Sequence, residues 1–586
     1  MKAYEYMWRM IRYRPVLYTV NGILWIITHI SAIVPGLIAQ QFFNALPGAG
    51  HLNNWLWTLI MLLVVTALAR AVLTFAGGWV DKLHRFSMSG LLRNNLLEHI
   101  LERPGARAVP GSPGEAISRF RDDAGQAEDI ISMILDNLCD ALLAVIAVII
   151  LLRINVAITL FVFVPLVSIV AITQALRKRL EKYRQASRQA TGRVTSAIGE
   201  ICGTVQAIQV AAAEPHVLTH FRMLNEKRRV AVLRDRVVES ALDSALNNTV
   251  GLGTGLILIL AAQALHNGQL GLGDLALFIY YLEFVAYFTH FFGMVLAHYA
   301  QTKVAFQRMN MLLQGAPPQR LVAHTPLYIS GTIPVLSSPL KTEEDRLDRL
   351  EACNLSYHYP DTGRGIEGID LRLRRGTLTV ITGRIAAGKT TLLQVLLGLL
   401  PREAGEVRWN GRVIADPASF FVPPRSAYTA QIPRLFSASL KENILLGLPE
   451  DRARLEKAIH TAVMERDLVD LENGLDTLIG TRGVKLSGGQ AQRTAAARMF
   501  VREAELLVFD DLSSALDVET EQTLWERLFS QHQVTCLVVS HRKAILQRAD
   551  HIMVLKEGRV AAEGRLDELL EHSDEMQCLW RGDVVD

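Results

Sequence analysis

Over the first 300 residues the chain alternates between long apolar runs and basic polar stretches. Six runs, near 16–45, 54–80, 129–152, 156–178, 242–266 and 274–299, are each long enough to cross a bilayer as a helix. The most continuously apolar are 141–152 and 158–172, whereas the fifth carries Asp243, Asn247 and Asn248 near its start. The short connections 46–53 and 267–273 contain no Lys or Arg, and the 152–156 turn has only Arg153. By contrast, 82–128 and 179–238 are long, helical in pattern and rich in Arg and Lys. Positive charge collects on the cytosolic side, so both long loops and both termini are expected there, on helices that run well past the bilayer. Pro110, Gly111, Pro113 and Gly114 break the first long loop, ahead of Arg119, Asp122 and Asp123; Ala213-Glu214-Pro215 break the second.

The first fifteen residues mix Trp8 and tyrosines with Lys2, Arg9, Arg12 and Arg14, and lack a small-residue cleavage site. That pattern predicts an interfacial segment rather than a signal peptide. Inside the spans lie His29, Arg70, Asp136, Asp140, Glu283 and His290. Ionisable groups at membrane depth are expected to face a cavity or a partner, unless the span edges shift them to the interface. The last span is packed with aromatics from Phe278 to Phe292, for which helix packing is the main expectation.

From about 315 to 349, Pro317, Pro318, Pro326, Pro334 and Pro339 punctuate a polar segment that predicts a linker between a membrane domain, 1–314, and a soluble domain, 350–586. The soluble part alternates strand and helix patterns. Asn410-Gly411 between two short β-type runs predicts a hairpin. Leu506 to Phe509 is an apolar strand ending in Asp510 and Asp511, and Thr535 to Ser540 is another, ending at His541.

Half of the 586 residues are hydrophobic and 20% are charged, below the quarter usual in soluble chains, so part of the protein belongs in lipid. A net charge of +3 is too balanced to imply a nucleic-acid partner. Cys139, Cys202, Cys353, Cys536 and Cys578 are dispersed, which predicts neither a disulfide framework nor a zinc site and suits a reducing compartment.

The chemistry concentrates in Gly383-Arg384-Ile385-Ala386-Ala387-Gly388-Lys389-Thr390-Thr391. This run follows a strand pattern and opens a helix, the context that makes G-x-x-x-x-G-K-[ST] a phosphate-binding loop. Gly383 and Gly388 let backbone N–H groups converge on an anion, and the helix N-terminus adds positive potential. Lys389 is expected on the terminal phosphates and the Thr390 hydroxyl on Mg²⁺. Asp510, at a strand end, is placed to hold Mg²⁺ or its water shell. Gln431 could sense the metal and the attacking water, His541 could polarise the terminal phosphate, and Tyr359 could stack on a base. Leu486-Ser487-Gly488-Gly489-Gln490 opens a second helix whose N-terminus also suits an anion.

Taken in order, Tyr359, the Walker A loop 383–391, the Q-loop Gln431, the signature 486–490, the Walker B strand ending at Asp510, the D-loop Ser514-Ala515-Leu516-Asp517 and the switch His541 resemble the ATP-binding cassette (ABC) exporter family. The resemblance covers nearly the whole chain. It implies six transmembrane helices in an exporter-type fold followed by an α/β P-loop NTPase domain, with the two long-loop breaks as coupling helices. It also implies ATP with Mg²⁺, and a second half-transporter chain, because each ATP lies between one chain's Walker motifs and the other chain's signature. The cargo class it implies is an amphiphile (drug, lipid or peptide) exported across a bacterial inner membrane, with the nucleotide domain cytoplasmic. An importer is disfavoured, because importers mostly carry the two domains on separate chains.

Three residues depart from the family pattern. Asp511 stands where a glutamate general base is usual, Thr481 replaces a glutamate just before the signature, and Ala386 replaces a Walker A glycine. With Ser487 and Gly489 intact, these departures resemble the degenerate chain of a heterodimeric exporter. Such a chain binds ATP but hydrolyses it poorly at its own site. The alternatives are a homodimer in which Asp511 is a weak base, or a regulatory subunit whose ATP binding gates its partner.

Overall fold

The computed structural model describes residues 1–46, 54–103, 105, 109, 113–266, 269–328, 341–480, 483–512, 516–530 and 534–582. Thr481, Ser514, Ala515 and the centre of the first Pro/Gly break lie outside them, as do the side chains of Asp243, Asn247 and His290. The chain forms two compact units: Met1–Ile100 with Val109–Ser330, and Leu101–Ala108 with Gly331–Asp586.

The first unit is helical. It comprises α1 Ala3–Tyr13, α2 Pro15–Ile30, α3 Ile33–Ala45, α4 Asn54–Glu102, α5 Pro113–Ser118, α6 Ala124–Ile154, α7 Val156–Gly203, α8 Val205–Val210, α9 Glu214–His266 and α10 Leu272–Leu312. Each expected span falls on one of these helices, the first on α2 and α3 together. Among the described residues, Pro15–Ala45, Asn54–Glu102, Gly114–Ile154 and Leu272–Leu312 are long and apolar enough to cross a membrane, and Gly251–His266 is a shorter apolar helix. Helices α4, α7 and α9 have 49, 48 and 53 residues. At 1.5 Å per residue each is roughly 70–80 Å long, more than twice a hydrocarbon core. The second break differs from the bare turn expected at 213–215. The short α8 intervenes, Ala212 takes a left-handed turn at φ 50°, and Pro215 falls in the first turn of α9, where its missing N–H costs nothing.

The aromatics of α10 pack as expected. Phe278 and Tyr281 are fully buried, and the Tyr281 hydroxyl donates to the Ile33 carbonyl at 2.9 Å. Gly36 permits this, since a Cβ there would sit 2.7 Å from the Tyr280 ring. Among the ionisable groups of the spans, His29 and Asp140 pair with each other, and Asp81 at a span end meets polar neighbours. His29 Nε2 lies 3.3 Å from Asp140, and Asp81 accepts from Asn21 Nδ2 at 3.2 Å and from Ser132 Oγ at 2.6 Å.

Both ends of the segment expected as a linker are folded. Pro318–Val322 forms a 3₁₀ turn whose Leu321 and Val322 are buried in the helical unit, where Asn95 Nδ2 donates to the Leu321 and Ala323 carbonyls at 3.0 and 2.9 Å. At the other end, Leu347 is fully buried in the second unit. Apolar residues among and after the prolines supply the burial that a proline count alone does not register.

The second unit contains a four-stranded antiparallel sheet in the order β2-β1-β4-β5, built from β1 Arg349–His358, β2 Gly365–Arg374, β4 Ala404–Trp409 and β5 Arg412–Val413. Asn410 and Gly411, at φ 53° and 81°, make the expected hairpin. A six-stranded sheet runs β10-β9-β3-β8-β7-β6, from β3 Leu378–Gly383, β6 Ser426–Thr429, β7 Leu506–Asp510, β8 Thr535–Val539, β9 His551–Lys556 and β10 Arg559–Gly564. All its pairings are parallel except β10 with β9. Strands β3, β7 and β8 are buried throughout, which is why they read as unbroken apolar runs. The helices that matter for the site are α11 Lys389–Leu396, α12 Gly488–Phe500, α13 Val518–Phe529 and α14 Asp574–Arg581.

Asp345 anchors the entrance of this unit. It accepts from the Thr342 backbone N–H at 2.9 Å and hydroxyl at 2.8 Å, and pairs with Arg425 Nε at 2.7 Å. Burial alone would raise its pKa, but these partners outweigh burial and hold the carboxyl below its ordinary 3.8. Its stabilisation is therefore complete above the unfolded value and is lost as pH falls through the lower folded value. Asp345→Asn is expected to lower the unfolding temperature at neutral pH and to flatten its decline below about pH 4, read by tryptophan fluorescence melts across pH.

Candidate functional site

The carboxyl ends of the parallel strands lie on one edge of the six-stranded sheet, where open α/β sheets bind ligands. Strand β3 ends at Gly383, β7 at Asp510 and β8 one residue before Ser540 and His541, while Gln431 follows β6 by two residues. Register fixes this alignment: Asp510 pairs with Val539, Asp511 N donates to Val539 O at 3.1 Å, and Ser540 N donates to Ile381 O at 3.1 Å.

The 383–391 loop curls as its glycines permit. Gly383 and Gly388 take φ 144° and 98°; a Cβ at Gly383 would meet the Leu555 carbonyl oxygen at 2.3 Å, and one at Gly388 would meet Ile366 at 2.9 Å. Ala386 also lies in the left-handed region, at φ 64°, where an L-residue pays roughly 1–2 kcal/mol. Ala386→Gly is therefore expected to raise stability by up to about 1 kcal/mol after the added unfolded-state freedom is subtracted. Gly388→Ala should lower both stability and nucleotide affinity, and the pair is checked by thermal unfolding with and without nucleotide. Ile385, at the tip, is 97% exposed, and Ala387 is buried beneath it. Lys389 Nζ bridges the Gly383 and Arg384 carbonyls at 2.7 and 2.6 Å, holding the loop around its own ammonium. Burial pushes the Lys389 pKa down, against the opposing pull of Asp511 and Asp510.

Thr390 Oγ1 donates to Asp510 Oδ1 at 3.0 Å, and the Tyr428 hydroxyl donates to Asp510 Oδ2 at 3.3 Å. Asp510 is 2% exposed; burial raises its pKa, the two hydroxyls pull it down, Asp511 raises it and Lys389 lowers it. Gln431 Nε2 donates to Asp511 Oδ2 at 3.3 Å, while Asp511 Oδ1 is shielded from solvent without a hydrogen-bond partner among the described residues. Asp511 itself has φ 52°, a conformation Asp tolerates better than most residues. A hydroxyl, a buried carboxylate and a carboxylate oxygen with spare acceptor capacity make an all-oxygen donor set, the kind Mg²⁺ requires. The glycine cradle and the α11 N-terminus are matched to phosphate. The residues present thus fit both groups.

Tyr359 lies beside Walker A, its hydroxyl 3.4 Å from Thr391 Oγ1 and its ring edge-on to Tyr357 with centroids 5.1 Å apart. Thr391 is nearly buried on α11. The signature residues open α12: Ser487 caps it, accepting from Gln490 N at 3.2 Å while Gln490 Oε1 accepts from Ser487 N at 2.9 Å, so Gly488 and Gly489 form its first turn. His541 is exposed just past β8. Its neighbour Arg542 reaches Glu521 of α13 at 2.6 Å and the Leu516 carbonyl of the D-loop at 3.1 Å. Within this chain the fold therefore gathers Lys389, Thr390, Asp510, Asp511 and Gln431. Ser487 and its glycines sit on a separate helix.

Sequence reading missed three contributors. Tyr428, three residues before Gln431, carries no motif signal of its own, yet its hydroxyl reaches Asp510. Gln492 of α12 donates to the Gln431 carbonyl at 3.4 Å, joining the Q-loop to the signature helix. Glu575 of α14 is nearly buried and shares its carboxylate between Arg384 Nε of the phosphate loop at 2.5 Å and Lys556 at 3.0 Å. It is 191 residues from Arg384, and no local pattern marks it.

Comparison with known proteins agrees with this geometry. The family profile "ABC transporter" matches residues 366–514, and "ABC transporter transmembrane region" matches 18–288. The "ATP-dependent lipid A-core flippase" of Bordetella pertussis is 26% identical over 548 residues, covering 92% of this chain and 84% of that protein. The protein of the same name from Cupriavidus metallidurans is 27% identical over 550 residues, covering 92% and 88%. The "uncharacterized ABC transporter ATP-binding protein YfiB" of Bacillus subtilis is 26% identical over 556 residues, covering 93% and 92%. A solved bacterial Atm1-family ABC exporter with ATP bound shares the fold, with a TM-score of 0.77 at 19% identity over 97% of this chain and 99% of that one. With a membrane region and one ATP-binding domain joined in this order, the chain is an ABC exporter half-transporter.

Proposed function

We propose that the chain is one half of an ATP-driven exporter that moves an amphiphile out of a bacterial cytoplasm. It sits in the inner membrane with its termini and nucleotide domain on the cytoplasmic side and works with a second, non-identical half-transporter. The names of the flippase relatives favour a lipid over a drug or peptide as cargo. Each chain holds nucleotide against the other's signature, and closure of the pair reorients the membrane helices. Mg²⁺, held by Thr390 and Asp510, would neutralise charge on the phosphate oxygens. Lys389 would bind the terminal phosphates, Gln431 would orient the water, His541 would contact the terminal phosphate, and Tyr359 would flank the base.

The observation that carries the unequal pairing is Asp511. A general base must come within hydrogen-bond reach of the proton it takes. Asp511 is one methylene shorter than the usual glutamate, and its Oδ2 is drawn onto Gln431. A base withdrawn by about 1 Å loses on the order of a hundredfold in rate. The chain thus keeps ATP binding, hydrolyses poorly at its own Walker motifs, and completes its partner's site with Ser487 and Gly489. A second reading, a homodimer with Asp511 as a slow base, is favoured by the same Gln431 bond, because it keeps a carboxylate at the site. A regulatory subunit is the slow limit of the first reading.

Affinity purification should bring down a distinct half-transporter, and Asp511→Asn should change that complex's ATP turnover by less than about twofold, since an already misplaced base has little to lose. A homodimer hydrolysing ATP at full rate, or a large loss in the Asp511→Asn complex, would refute the heterodimer.

A further inference from the structure

We propose that the phosphate of an anionic lipid headgroup binds in a hollow between α1 and the segment that follows α10. The hollow has a volume of about 350 Å³ and is lined by Arg9, Arg12, Val322, Ala323 and His324. Arg9 and Arg12 are one turn apart on the same side of α1, and both are exposed. Among the described residues neither guanidinium has a carboxylate within ion-pair distance, whereas Arg85, Arg119, Arg184, Arg229 and Arg236 of the same unit do. Two unneutralised guanidinium groups across a small concavity are suited to the oxygens of one phosphate, which they can bind through paired N–H donors.

The opposite wall is held in place. Asn95 binds the Leu321 and Ala323 carbonyls through Nδ2, and its Oδ1 accepts from the Thr325 hydroxyl at 2.7 Å. The Tyr13 hydroxyl donates to the Thr325 carbonyl at 3.0 Å. His324 Nε2 lies 2.9 Å from the Arg9 carbonyl, which can only accept, so that nitrogen carries the hydrogen and ties the wall to α1. The hollow is therefore shaped before anything binds, and its floor, Val322, is buried.

The surface beside it selects a lipid as the carrier of the phosphate. A single non-helical residue, Arg14, separates α1 from the span Pro15–Ala45. Tyr4 and Trp8 of α1 are 54% and 60% exposed, aromatics of the kind that sit among headgroups, and the exposed Val16 and Val20 begin the apolar surface an acyl chain would follow. A near-surface arginine contributes roughly a fivefold preference for an anionic lipid, so the pair should give on the order of thirtyfold.

The test is native mass spectrometry of the full-length protein released from nanodiscs of mixed phosphatidylglycerol and phosphatidylcholine. The unaltered protein should retain phosphatidylglycerol preferentially, and Arg9→Gln with Arg12→Gln should reduce that preference by on the order of thirtyfold. Arg9→Lys with Arg12→Lys, which keeps the charge but not the fork, should fall between the two, with an unchanged unfolding temperature as evidence of folding. Equal retention of phosphatidylglycerol by the unaltered and glutamine proteins would overturn the proposal. Displacement of the retained lipid by millimolar inorganic phosphate would also overturn it, because the hollow would then be a soluble-anion site.

Discussion

Asp511→Glu is expected to raise ATP hydrolysis at this chain's own Walker site by on the order of ten- to a hundredfold, the range opened when a base recovers about 1 Å of reach. The assay should use the complex with its partner's own base replaced by glutamine, so that only this site turns over. The gain should appear in kcat rather than KM, because the carboxylate meets the attacking water and not the phosphates that Lys389 and the loop bind. A cost in stability accompanies it. Position 511 sits at φ 52°, and a longer side chain loses the tolerance of Asp for that region, roughly 1 kcal/mol. Unchanged turnover would mean that some other feature, such as Thr481, limits the site.

Lys389→Ala is expected to weaken ATP binding at this site on the order of a hundredfold, the consequence of removing a charged donor from a partly buried phosphate site. It should also cost stability before any nucleotide is present, because Nζ satisfies the Gly383 and Arg384 carbonyls at 2.7 and 2.6 Å. The two effects separate in one experiment: melting curves against ATP concentration should start lower and also lose most of their nucleotide-dependent rise. Lys389→Ala melting curves that rose with ATP as steeply as the parent's would remove Lys389 from the phosphate site.

Much of the nucleotide domain was readable because its signals are local. The apolar run before Gly383, the carboxylates after Phe509 and the Asn410-Gly411 turn each specify a strand end or turn within a few residues, and parallel pairing then places those ends side by side. The signature was readable for the same reason, since Ser487 and Gln490 close a capping box over three residues. What escaped depends on distance along the chain. Asp81 meets Asn21 and Ser132 across 60 and 51 residues, and Glu575 meets Arg384 across 191, contacts that periodicity cannot anticipate. The 315–349 stretch misled for another reason: its prolines mark turns, but Leu321 and Val322 between them, and Leu347 after the last of them, are apolar enough to be buried. The short α8 was overlooked because five or six helical residues carry too little periodicity to distinguish from a turn.

Glu575 gives the last helix a task out of proportion to its length. With one oxygen on Arg384 and the other on Lys556, it braces the nucleotide cradle from behind like a strut. Anything that tugs on α14, whether a fused affinity tag or a bound regulator, would slacken the cradle without touching the nucleotide. Removing α14 would do the same, so this helix is part of the engine and not a trailing edge.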